Sequence, residues 1–150
     1  MEKKIIFHFL EFTQEIFLEK AIKMERLNRI FKEASLRAVV FSRKSLGVNL
    51  DFSEESLKDL DNILDVFSRN KNIEDINKEK LIDVVMRFGG YLGEVISKNI
   101  SGNWNETEEK EIFLRVNNKI VYPLNIVYKR IKIGERASIE SWYNKFKNKF

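Results

Sequence analysis

The residues best suited to chemistry form one line on a single predicted helix. Arg87, Gly90 and Glu94 recur at intervals of three and four, with Tyr91 beside them. Gly90 adds no side chain, so the line holds a notch between a cation and a carboxylate. Such a notch suits a small pocket in which Glu94, with Tyr91 or Trp104 near, recognises a basic or hydroxylated ligand. The competing reading is a half-buried ion pair that fixes how neighbouring elements dock, and structural charge networks are commoner than sites.

A second candidate lies at the C-terminal end. Lys129, Arg130, Lys132 and Arg136, followed by Lys145, Lys147 and Lys149, alternate with Tyr128, Trp142, Tyr143, Phe146 and Phe150. Cations among aromatics hold single-stranded nucleic acid by joining phosphate attraction to base stacking. Yet Ile139, Trp142, Tyr143, Phe146 and Phe150 also fall at helical spacing, which makes them a docking face first.

The remaining candidates give catalysis no positive support. His8, the single histidine, sits among Phe7, Phe9 and Leu10 and reads as structural or exposed, because a triad or zinc site needs partners the pattern does not supply. There is no Gly-x-Ser-x-Gly elbow and no phosphate-cradling loop. Asp61 and Asp65 stand one turn apart near Asp51, Glu54, Glu55 and Asp59, but without calcium-loop spacing; a solvated face or an intramolecular partner for basic segments fits them better than a metal. With no cysteine, disulfides and thiolate metal sites are excluded. No cofactor and no metal is expected.

Helices must position these groups. Apolar residues recur at helical spacing from Ile6 to Phe41 and no glycine or proline falls before Gly47, so the spacing predicts one long helix or a pair with a break near Thr13-Gln14. Ser53 is placed to cap a second helix that runs to about Ser68 and buries Leu57, Leu60, Ile63, Leu64 and Phe67. Arg69 to Asn77 reads as a loop with a turn at Ile73-Glu74-Asp75-Ile76. A third helix over about Lys78 to Lys98 is apolar around most of its circumference and belongs at the centre of the fold. Gly89 and Gly93 share one of its faces and invite close approach. Ser101-Gly102-Asn103 reads as a turn before Trp104, and Glu108 to Glu111 as a charged loop. Ile112 to Val116 and Lys119 to Tyr122 form a hairpin around Asn117-Asn118, since asparagine tolerates positive φ. Pro123 opens a helix that ends near Gly134, and Ser138 caps the last one.

The expectation is a predominantly helical α+β domain spanning 1–150: an N-terminal helical segment over 1–46, a buried central helix, a small antiparallel β-hairpin and two C-terminal helices. The net charge is +4, spread as +4, −4 and +4 over successive thirds, so the acidic middle and basic ends most simply satisfy one another. No apolar run approaches the roughly 18 residues of a membrane span, and Glu11 and Glu15 interrupt the one segment that approaches a signal peptide. The chain therefore reads as cytoplasmic.

Leu50-Asp51-Phe52-Ser53-x-x-Ser56-Leu57-x-x-Leu60-Asp61, then Gly90-Tyr91-Leu92-Gly93-Glu94-Val95-Ile96, then Gly102-x-Trp104, then Tyr122-Pro123 with Lys129-Arg130-Ile131 and Gly134, resembles a bacterial domain family of unknown function. The resemblance covers about residues 48 to 143. It implies an α+β domain with a central glycine-bearing helix and a small sheet, and it implies no activity. The expected function is non-catalytic binding of a protein partner or a second copy, by analogy with immunity proteins and antitoxins. The alternatives are small-molecule binding or catalysis at the Arg87, Gly90, Tyr91 and Glu94 notch, and nucleic-acid binding through the basic C-terminal cluster.

Overall fold

Uninterrupted helical spacing produces an uninterrupted helix. The computed structural model describes residues 2–70 and 77–150, with side chains from Thr13 onward. The expected turn at Ile73 to Ile76 and the side chain of His8 lie outside the described residues. The first element, α1 (Glu2–Leu46), passes through Thr13 and Gln14 without the expected break. Those residues lower helix propensity by less than about 0.7 kcal/mol each, too little to end a helix whose sequence continues in helical spacing before and after them. At 1.5 Å per residue α1 is roughly 67 Å long, whereas a globule of this chain length has a radius of gyration of about 15 Å. The helix therefore outruns the body it packs on. Gly47, at a φ of 66°, terminates it, and the Gly47 and Val48 amides fold back onto the carbonyls of Arg43 and Ser42.

The second helix, α2 (Ser56–Arg69), follows a short turn in which the Ser53 hydroxyl accepts from the Ser56 amide at 3.2 Å. Ser53 therefore closes the turn that leads into α2, while the N-cap position of the helix is Glu55, which makes no side-chain cap bond. The central helix, α3 (Lys78–Asn99), opens on Asn77, whose side chain accepts from the Glu79 amide. Its middle, Phe88 to Gly93, is buried on all sides. A β-carbon at Gly89 would overlap Leu124, and one at Gly93 would overlap the ring of Trp104. Both therefore serve the close approach their spacing implied, one toward a helix and one toward a strand.

Three antiparallel strands follow, in the order β1 (Asn103–Glu106), β2 (Ile112–Val116) and β3 (Lys119–Val121). Leu114 sits opposite both Trp104 and Val121, so these three share the sheet's inner face. The expected hairpin is β2 and β3, with Asn117 at a φ of 55°; β1 is an addition. Asn-Trp-Asn-Glu has no apolar alternation, and what makes it a strand is pairing with β2 together with the Asn28 side chain, which accepts from the Trp104 amide at 2.9 Å.

Pro123 takes the first turn of α4 (Pro123–Ile133), and Gly134, at a φ of 90°, stops it. A short 3-10 turn (Glu135–Ala137) leads to α5 (Ile139–Lys147), capped by Ser138. One core joins α1, α2, α3, the sheet, α4 and α5 around Phe31, Leu57, Phe88, Leu92, Trp104 and Tyr143. Among the described residues no helix is long and apolar enough to cross a membrane.

Candidate functional site

The notch expected at Gly90 is filled by α1. A β-carbon at Gly90 would lie 3.0 Å from the Phe31 carbonyl oxygen and 3.2 Å from the Ala34 β-carbon. Its backbone is the surface on which α1 rests, and the cavity of about 330 Å³ that Arg87 lines with Phe41, Phe67 and Phe88 does not include Gly90, Tyr91 or Glu94. The side chains around it turn to different neighbours. Arg87 pairs with Asp83 at 3.1 Å, one turn back on its own helix, and not with Glu94. Glu94 is half-buried, and burial pushes its carboxyl above the usual range, opposed by the nearby charges of Lys98 and Lys32. Trp104 stacks on Phe31 at 4.0 Å between ring centroids.

Tyr91 has a definite structural task. Its hydroxyl accepts from the Phe52 amide at 3.0 Å and lies 2.6 Å from the Ser56 hydroxyl. Ser56 spends its own proton on the Ser53 carbonyl at 2.6 Å, so Tyr91 must donate to Ser56. The relay ties the turn before α2 to the centre of α3. Phe52 holds a φ of 64°, a conformation unfavourable for a bulky residue, and the bond from its amide to Tyr91 helps to retain it. Burial raises the Tyr91 phenol, keeping it a neutral donor.

The basic cluster divides. Arg130 is 3% exposed. Its Nε meets the Asp61 carboxylate at 3.0 Å, and its Nη2 meets the Asp61 carbonyl at 3.1 Å and the Asp65 carboxylate at 3.2 Å. Asp61 also accepts from the Ser138 hydroxyl and from the Ile139 and Glu140 amides. One carboxylate therefore holds the start of α5 against both α2 and α4. The intramolecular partner expected for Asp61 and Asp65 is Arg130, which is consequently unavailable to nucleic acid. Lys129, Lys132 and Arg136 remain exposed. The aromatics among them behave mainly as a docking face: Trp142 stacks on Phe146 at 5.1 Å, and buried Tyr143 donates to Glu54, which also pairs with Lys147 at 2.8 Å.

The chain matches no family model, no curated protein and no solved structure. What its geometry offers is a surface. Every residue of α1 from Thr13 to Lys23 is exposed, including Ile16, Phe17 at 73%, and Leu18 and Ile22 at 59% each. Between this segment and the outer face of the sheet runs an open groove of about 590 Å³, bordered by Phe17, Ala21, Met24, Phe113 and Ile120. Among the described residues no three His, Asp or Glu side chains gather as metal ligands.

Sequence reasoning passed over Ser56, Asn28 and the pairing of Arg130. Asn28 left a signal, a polar residue in step with Met24 and Phe31 on an apolar stripe. So did Arg130, which falls on the apolar line of Val127 and Ile131. Ser56 left none, because nothing local announces a tyrosine 35 residues away.

Proposed function

We propose that this protein is a non-catalytic binding protein of bacterial, cytoplasmic type, which engages another polypeptide through the projecting half of α1 in the manner of immunity proteins and antitoxins. The observation that carries the reading is the exposure of four large apolar side chains within Thr13 to Lys23, Ile16 and Phe17 on the side of the sheet and Leu18 and Ile22 on the side away from it. Large apolar side chains concentrated and exposed on one short segment of a folded protein suit it to an interaction site. A helix packed on the body at its C-terminal half and exposed from Thr13 to Lys23 supplies such a surface at little ordering cost on binding. The ligand-pocket reading draws less support, since α1 covers Gly90 and Arg87 pairs away from Glu94. The nucleic-acid reading is likewise weakened by the burial of Arg130.

The test is co-expression with the products of neighbouring genes, comparing wild type with a Leu18→Glu/Ile22→Glu variant. A complex present in wild type and lost in the variant, with the thermal midpoint unchanged, supports the reading. No complex, or one indifferent to the substitutions, contradicts it.

A further inference from the structure

The exposed face of α1 carries its own complement. At 100° per residue, Phe31, Ala34, Ser35, Ala38 and Ser42 fall on the side that packs against the body, while Glu15, Leu18, Glu19, Ile22, Arg26 and Arg29 fall on the opposite side. All six of the latter are exposed. Among the described residues none of their four charged side chains makes an ion pair within the chain. Between Glu15 and Arg29 the charges on this face are segregated: Glu15 and Glu19 precede Ile22, Arg26 and Arg29 follow it, and exposed Glu33 on the same line ends the basic stretch. Glu15, Ile22 and Arg29 are seven residues apart, as are Glu19 and Arg26, so each set lies along one seam of a helix pair.

We propose that a second copy of this chain occupies this face, its α1 antiparallel to the first and related to it by a two-fold axis at Ile22. A two-fold contact is self-complementary: if residue i meets residue j, then j meets i. About Ile22, Glu15 faces Arg29 of the partner subunit, Glu19 falls beside Arg26 of the partner subunit, and both pairs repeat on the other side of the axis. Ile22 meets its own copy, flanked by Leu18. Parallel pairing in register sets Glu15 on Glu15 and Arg29 on Arg29, so the charge pattern selects the antiparallel arrangement. The bodies do not collide. Each packs on the far side of its own helix, so the two lie on opposite sides of the helix pair. Exposed Leu36, seven residues beyond Arg29, and Val40 on the next turn prolong the same face.

This inference rests on reading α1 as the binding face, and charge exchange tests it separately. The mass of the full chain is measured by sedimentation over a range of concentrations for wild type, Glu15→Arg/Glu19→Arg, Arg26→Glu/Arg29→Glu and an equimolar mixture of the two variants, with circular dichroism confirming that each is folded. Wild type should dimerise, and each variant should associate about a hundredfold more weakly, because like charges then face each other across the contact. The mixture should restore a dimer holding one chain of each. A monomeric wild type, a dimer that survives both reversals, or a mixture that stays monomeric overturns the pairing. A monomeric wild type that still loses a heterologous partner on Leu18→Glu/Ile22→Glu substitution overturns the self-pairing alone; the loss of both overturns the binding face.

Discussion

The two halves of α1 are the same kind of helix with opposite fates. Both carry large apolar residues at helical intervals, yet Phe31 is fully buried and Phe17 is 73% exposed. The difference comes from what faces them. From Phe31 to Ser42 the inner positions are small, with Ala34, Ser35, Ala38 and Ser42 all buried, and Gly90 of α3 receives the helix backbone to backbone. From Thr13 to Lys23 the apolar spacing continues, but an open groove separates it from the sheet and its side chains stay exposed. An apolar stripe thus predicts a contact, but the contact can lie outside the chain.

Substituting one residue type in both halves breaks this comparison most sharply. Phe31→Ala removes a ring stacked on Trp104 inside the core and should lower unfolding free energy by about 4 kcal/mol, whereas Phe17→Ala should change it by less than about 0.5 kcal/mol. Chemical denaturation measures both. Equal effects would mean that the N-terminal half is packed on the body.

The next largest effect separates a fully buried charge from a half-buried one. Arg130→Met removes the buried cation between Asp61 and Asp65, leaving Asp61 only its hydroxyl and amide donors and Asp65 only Arg69, and should destabilise by about 3 kcal/mol, while Arg87→Met, which breaks a pair one helical turn apart, should fall within about 0.5 kcal/mol. A cost for Arg87 matching that of Arg130 would restore the notch as an energetic centre. Tyr91→Phe should cost about 2 kcal/mol, because the Phe52 amide loses its acceptor and the buried Ser56 hydroxyl its donor.

Much of the fold was legible because it follows from punctuation and period. Gly47, Pro123, Gly134 and Ser138 all act at element ends as their chemistry dictates, and Ser53 acts in the turn just before α2. The strand β1 was not legible, since its hydrogen bonds come from β2 and from Asn28, 76 residues away in the chain. The polar notch misled for a related reason. Helical spacing correctly put Arg87, Gly90 and Glu94 on one line, but a line on a helix does not say whether water or another helix lies over it. Arg130 was misassigned because a basic run looks alike in sequence whether its members point outward or one of them turns into a pair of aspartates.

The smallest predicted effect is on pH. Hydrogen bonds from Lys147 and Tyr143 hold the Glu54 carboxyl below the usual glutamate range. A depressed folded-state pKa contributes stability that is complete above the ordinary value, near 4.5, and is lost as pH falls through the lower folded value. The stability difference between wild type and Glu54→Gln should therefore be constant at neutral pH and shrink in acid. A difference that grew in acid would reverse the assigned sign.

Amide hydrogen exchange along α1, followed as the protein is taken from dilute to associated conditions, tests the central claim most directly. In the dilute state, protection should be strong from Phe31 to Ser42 and weak from Thr13 to Lys23; on association it should rise across Glu15 to Arg29 and stay unchanged at β3 and α5. Protection that appears instead along β3 and α5, with Thr13 to Lys23 still exchanging freely, would contradict the account.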